Sequence, residues 1–564
     1  MAGTAWFAYG SIFLLQSKLL CGIWAHRDLS SGDTSTYFRY ASEWSQSFHV
    51  EPIASPLYTV AWGCLRWLFD DPYAVTIAHR VLIAVGAALV VLAVLRRLLS
   101  PGIAWALAVW WTVLPVNYDN LYEVHLFAVI ATLAAVLIAA RWRGVGMRSA
   151  VFAVLLLDAL LVRNETAIAL VIWTSAWIAY EVRLHRAGSG TPPRTLLRAF
   201  AISVLAASVT MAAALAAYPD REHFLHNYRH RQASNVCQDY AFGYEQRHSD
   251  YRLNPFAGCG PLSERKFDTD HPSWVGAATA NPRAIAGHFL WNAELVPQGL
   301  QLMLFDGISA GAGRDPDYIP VHTHSTWSLV GLIVLIGFVA GGIRLLWCDR
   351  RRWWLSWIRE RAWAWLALLS LGAMGAVMML WQRPRPAYAL DLEVLILAAV
   401  GLAAMAYADR WPALNRARVA ILPTAVLLPL IVPSHYGSGY VTPQTGRPGR
   451  PIKDMVQRLY PMQDRLSGHQ VKLLATYAGP ACSYIGGEDP CKPIEWKPIL
   501  SRAPRVSVGD ALAMRGVHFI YFDQADSEDP AKAGAIREAE AVGWTRAAPS
   551  SPGQGWLLLR PPSG

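Results

Sequence analysis

The sequence predicts an α-helical polytopic membrane protein of about eleven transmembrane helices, followed by a small C-terminal α/β domain outside the membrane. Three observations predict it. Of 564 residues, 54% are hydrophobic and only 16% charged, against about 25% charged in soluble domains. Apolar runs near the roughly 20 residues that cross a hydrocarbon core recur as far as residue 434. The stretch 435–564 is instead Pro- and Gly-rich and charged, without any such run.

The runs lie near 4–24, 79–99, 102–117, 122–141, 149–163, 166–183, 199–218, 326–346, 362–381, 388–408 and 418–434. The first lacks a basic start and a small-residue cleavage site, so it reads as a retained helix rather than a signal peptide. The third and fifth are short for a full crossing. Arginines gather in alternate loops: Arg96-Arg97, then Arg141, Arg143 and Arg148, then Arg183 to Arg198, then Arg350-Arg351-Arg352, then Arg410 to Arg418. With those loops in the cytoplasm, the N-terminus is cytoplasmic and 435–564 lies outside. The net charge of +10 is spent on this orientation signal, which excludes nucleic acid as a partner. The 25 Trp residues suit interfacial belts and helix packing.

Three exterior regions follow. The first loop, 25–78, holds Gly32-Asp33-Thr34-Ser35-Thr36-Tyr37 and then Ser55-Pro56-Leu57-Tyr58, where Pro56 suits the first turn of a short helix lying on the membrane. The second, 219–325, is long enough to be functional or a small subdomain. The third is the tail, in which 471–477, 517–523 and 555–560 read as strands and 531–542 as a helix. It contains no Walker-type loop and no GxGxxG after a strand, so nucleotide binding has no support. Cys237 and Cys259 share the long loop, and Cys482 and Cys491 share the tail, all on the oxidising side; pairs 237–259 and 482–491 are expected.

Asp33 is the candidate catalytic group. Its plain role is to open a helix; at the lip of a bilayer, apolar surroundings would also tune it as a proton acceptor. Asp28 is its rival. Arg80, Arg163, Arg383 and Arg385 all fall on the exterior face, against the positive-inside trend, and guanidinium forks suit phosphate; Arg163 could otherwise pair with Glu165. Asp119 and Glu123, in the turn between the third and fourth runs, are candidates to touch donor or acceptor, as are Tyr37 and Tyr388. His271, His322 and His324 have no metal-ligand spacing. No cofactor is assigned, and a divalent cation stays open.

This layout, with an acidic residue opening a helix in the first exterior loop, then Ser-Pro-Leu-Tyr, then Ala78-His79-Arg80 starting a span, resembles the GT-C superfamily, which includes protein O-mannosyltransferases and the lipid A aminoarabinose transferase. The resemblance covers about residues 1–410. It implies transfer of a sugar from a polyprenyl-phosphate carrier, outside the cytoplasm, to a glycan, lipid or protein acceptor of the cell envelope. It casts Asp33 as general base, and Arg80, Arg163 and the Arg-Pro turn at Arg385 as phosphate ligands. Many relatives have a second acid after the first; here Thr34 follows Asp33. The Arg-, Ala- and Trp-rich usage fits a bacterial inner membrane. A lipid-linked oligosaccharide ligase or polymerase, a transporter or flippase, and a non-catalytic scaffold are the alternatives.

Overall fold

A computed structural model describes residues 2–22, 33–119, 123–218, 220–248, 254–317, 323–349, 358–411, 451–462, 471–485, 491–501, 506–547 and 555–560. The chain divides into two compact units, one of 1–20, 50–58 and 82–434, the other of 21–49, 59–81 and 435–564. The tail therefore folds together with most of the first loop.

The chain opens with α1 (Ala2–Leu20), α2 (Asp33–Ser47) and α3 (Pro56–Arg66). The membrane helices are α4 (Pro72–Leu98), α5 (Pro101–Val113), α6 (Glu123–Arg141), α7 (Gly144–Leu161), α8 (Thr166–Arg186) and α9 (Pro193–Ala216). The long loop folds as α10 (Phe224–Arg247), α11 (Pro255–Phe267), α12 (Trp274–Ala280) and α13 (Pro282–Phe305). A two-residue parallel ladder of β1 (Gly307–Ile308) and β2 (Thr323–His324) precedes α14 (Thr326–Cys348), α15 (Ala362–Trp381) and α16 (Pro386–Arg410). Proline opens many of these helices, where its missing N–H costs nothing.

Among the described residues, eight helices are long and apolar enough to cross a membrane, not eleven. The α1 helix, diluted by Gln16 and Lys18, is not one of them; it docks on α5, where Trp105 Nε1 donates to Ser11 Oγ at 2.8 Å. The α5 helix has only 13 residues, as its short run predicts. The eleventh run, 418–434, lies outside the described residues, as does Asp28. The bundle packs closely where small residues face large ones: a Cβ on Gly375 of α15 would lie 2.9 Å from Leu392 Cβ of α16, so the two backbones approach as glycine alone permits.

In the second unit a five-stranded mixed sheet runs in the order β4-β3-β5-β7-β6, from β3 (Lys472–Leu474), β4 (Lys492–Ile494), β5 (Phe519–Phe522), β6 (Thr545–Ala547) and β7 (Trp556–Leu559). Pairing is parallel among β4, β3 and β5 and antiparallel across β7. Helix Pro530–Ala541 is capped by Asp529, whose side chain accepts from Ala531 N and Lys532 N. Leu474, Ile520, Phe522, Ile536, Trp544 and Leu558 form the core. Phe38 of α2 stacks on Tyr484 at 4.3 Å, which fixes α2 to this unit. Both expected disulfides, Cys237–Cys259 and Cys482–Cys491, are present.

Candidate active site

Within the first unit, one end of the bundle collects polar groups from several helix termini. The α7–α8 turn begins where Asp158 O accepts from both Val162 N and Arg163 N, and Thr166 Oγ1 donates to Asp158 Oδ2 at 2.6 Å. Ser55 Oγ donates to Val162 O, tying residues 50–58 to the same turn. The turn presents Arg163, which pairs with Glu165 at 2.6 Å. The pairing offered as the plain alternative for Arg163 is thus made.

The α15–α16 turn carries the other cations. Arg383 is buried, with its guanidinium 3.7 Å from the Phe242 ring centroid of α10. Arg385 is the N-cap residue of α16 and lies with Nε 3.3 Å from Asp317 Oδ1. Tyr388, one turn into α16, joins the two turns. Its ring has the Arg163 guanidinium at 5.4 Å, the Arg385 guanidinium at 5.7 Å and the His125 ring at 4.4 Å. Beside it is a cavity of about 20 Å³ lined by His125, Thr132, Arg163, Glu165, Tyr388 and Asp391, room for about one water molecule. Thr132 Oγ1 donates to Asp391 Oδ1 at 2.8 Å along that wall.

Asp119 and Glu123 are both buried, and neighbouring Asn117 donates to Glu393 Oε1 at 3.0 Å and Trp111 O at 2.9 Å. The remaining sequence candidates, Asp33, Tyr37 and Arg80, belong to the second unit. Asp33 is the first residue of α2 and is exposed. Tyr37 and Arg80 are buried; His79, next to Arg80, stacks on Trp62 at 3.9 Å. Among the described residues no group of three or more His, Cys, Asp or Glu gathers as a metal site.

Three groups in the long loop have no sequence signature. His288 of α13 is fully buried; its Nε2 lies 3.1 Å from Trp381 O, and Asn292 Nδ2 donates to Leu380 O at 2.9 Å. Burial holds the imidazole down at about 4, because its charged form would lose hydration. Gly299 on the same helix lies under the cationic turn, where a Cβ would sit 2.7 Å from Pro384 Cβ. Asp239 on α10 is pushed up to about 7 by burial, with Arg383 and Arg385 pulling the other way.

The molecule is thus a largely α-helical polytopic membrane protein with a partly buried cluster of arginines and carboxylates at one end of its bundle. No family model matches the chain, and no curated protein matches it. Among solved structures it is similar to the oligosaccharyltransferase of Archaeoglobus fulgidus in the apo form, at 14% identity over 94% of this chain and 70% of that one, with a TM-score of 0.44. It is also similar to ArnT from Cupriavidus metallidurans bound to undecaprenyl phosphate, at 11% identity over 99% and 98%, with a TM-score of 0.40. At such TM-scores the chemistry has to be argued from this chain's own side chains.

Proposed function

We propose that the chain is a membrane glycosyltransferase, moving a hexose or pentose from a polyprenyl-phosphate carrier to an acceptor hydroxyl on the exterior side of a bacterial inner membrane, with inversion. The observation that carries this reading is the convergence of Arg163 and Arg385, far apart in sequence, on the ring of Tyr388 at the start of α16. Guanidinium groups beside a helix N-terminus favour an anion, and the acceptor and lipid chemistry then follow from the membrane setting.

In the reaction the acceptor oxygen attacks the anomeric carbon as the bond from that carbon to the phosphate oxygen breaks. The electron pair leaves with the phosphate. Asp33 takes the hydroxyl proton, and the products are a glycoside and polyprenyl phosphate. Arg163 and Arg385, with Arg383 and Arg80 as further cations, stabilise the charge that develops on the leaving phosphate, where a single aimed donor is worth about 2.7–4 kcal/mol. Asp119, Glu123, Tyr37 and Tyr388 are assigned to hold sugar or acceptor hydroxyls.

The direct test is mass analysis of lipid extracted with the purified protein. A polyprenyl-phosphate hexose or pentose is expected; a preparation that neither carries nor binds any polyprenyl phosphate ends the proposal. Asp33→Asn should lower transfer by about 10²–10⁴-fold with an unchanged melting temperature, and normal turnover in that variant would remove Asp33 from the mechanism.

A further inference from the structure

The two arginines whose guanidinium groups approach the Tyr388 ring are neutralised differently. Arg163 holds Glu165, two residues away on its own turn, with Nε and NH2 both 2.6 Å from Oε1. That carboxylate is close, local and bound by two nitrogens. Arg385 instead meets Asp317 at 3.3 Å, and Asp317 arrives from the segment between β1 and β2. Both side chains are mostly buried, Arg385 at 7% exposure and Asp317 at 14%. Asp317 is itself presented by a small built turn, because its N–H donates to Asp315 Oδ1 at 2.9 Å while Gln246 of α10 holds Asp315 O at 2.7 Å. At 3.3 Å the Arg385–Asp317 ion pair is longer than the 2.7–2.9 Å at which charge-assisted hydrogen bonds are strongest, so this contact is weaker than that of Arg163 with Glu165.

Resting on the glycosyltransferase reading, we infer that Asp317 is an exchangeable counter-ion: it occupies Arg385 in the empty site, yields it to the phosphate of the lipid substrate, and competes for it again when the product leaves. The donor is a phosphodiester with one negative charge, whereas the released lipid is a phosphate monoester with about −1.5 to −2. The same arginine that stabilises the departing anion would therefore retain the product most tightly of all. A carboxylate poised on that arginine weakens anion binding throughout, and shortens the lifetime of the product complex. Arg163, closed by Glu165, stays a fixed pole, and Arg385 is the one that changes partner.

The test is Asp317→Asn, with Asp317→Glu as the charge-restoring control, in the full-length protein in detergent. Affinity is measured for undecaprenyl phosphate and, separately, for inorganic phosphate. Loss of the competing charge should tighten undecaprenyl phosphate about three- to fivefold, the scale of a partly exposed ion pair. During turnover, KM for the lipid donor and kcat should fall together, as slow product release requires, and the Glu variant should restore both. Tightening of inorganic phosphate as well shows that the headgroup alone is recognised; tightening of the lipid only shows that the chain is needed to seat it. If wild type binds undecaprenyl phosphate and Asp317→Asn binds it equally or more weakly at unchanged melting temperature, Asp317 is a structural partner and the exchange is wrong. If neither protein binds it, the glycosyltransferase reading falls, and this inference with it.

Discussion

The α7–α8 hairpin carries an arginine–carboxylate pair at each end, one buried and one half-buried, and the two ends differ in kind. Near the start of α7, Arg148 meets Glu181 of α8 at 2.5 Å with side chains only 6% and 7% exposed. Trp177 Nε1 also donates to Glu181 Oε1, Thr191 N donates to Oε2, and the guanidinium lies 5.2 Å from the Tyr180 ring and 5.1 Å from Trp363. At the other end, Arg163 and Glu165 are 17% and 13% exposed, line a cavity and share a half-buried tyrosine with a second arginine. The first arrangement is walled in by aromatic rings; the second borders a cavity of about 20 Å³. The same residue chemistry thus serves architecture at one end of the hairpin and, in the proposed function, anion binding at the other.

The sharpest way to break this comparison is to delete one arginine from each end. Arg148→Ala leaves Glu181 buried and unpaired, which should cost about 3–5 kcal/mol of stability, read as a large fall in melting temperature in detergent. Arg385→Ala should reduce transfer about 10²–10³-fold and, because Asp317 is less deeply buried than Glu181, lower the melting temperature less than Arg148→Ala does. If Arg385→Ala unfolds the protein while Arg148→Ala only slows it, the roles are reversed and the site is misplaced.

The scaffold behind the cationic turn gives the next largest effect. His288 donates through Nε2–H to Trp381 O, while Nδ1 is buried without a hydrogen-bond partner and faces Gly243. A second proton would have nowhere to go. The folded imidazole titrates at about 4 and an unfolded one near 6.5, so below 6.5 the unfolded chain takes up a proton that the folded chain refuses. Stability is complete above pH 6.5 and is lost as pH falls toward 4, by about 3 kcal/mol at most. Thermal melts of wild type and His288→Gln across that window should diverge, with the variant flatter; parallel curves would show that His288 is not the acid-labile group. Gly299→Ala is the milder probe. Its new methyl must push Pro384, at about 1–3 kcal/mol for an overpacked position, and it should weaken polyprenyl-phosphate binding more than it lowers the melting temperature.

How much of this was legible beforehand follows from the kind of signal each part leaves. The spanning helices announce themselves by apolar length, and the tail's β5, β7 and last helix by local runs. The disulfides follow from which cysteines share an exterior segment. Arg163 and Arg385 stand out because cations on that face run against the orientation bias. Their convergence on Tyr388 is a tertiary fact with no trace in spacing. The eight spans among the described residues do not include α1, whose apolar run is diluted by Lys18 and by a wholly buried Gln16. His288, Asp239 and Asp317 sit in a polar loop where surface exposure is the default for such residues, and only packing distinguishes them.

The smallest expected effect concerns Asp239, which faces the same two arginines from α10. Its folded carboxyl is raised to about 7 by burial, despite Arg383 and Arg385, against about 3.9 unfolded. Between those values the folded protein keeps a proton that the unfolded chain has released, so stability falls as pH rises through this window, the opposite slope to that of His288. Asp239 is only half-buried, and the arginines partly offset the loss of hydration, so the change should stay under about 1 kcal/mol. Asp239→Asn should abolish this slope and leave the protein slightly more stable at pH 8 than wild type. It should also tighten phosphate binding at pH 8 but not at pH 5.5, where wild-type Asp239 is already neutral. Equal effects at both pH values would mean that Asp239 acts by shape alone, and the contrast between a closed ion pair and an open cationic site would then rest on Arg163, Arg385 and Asp317.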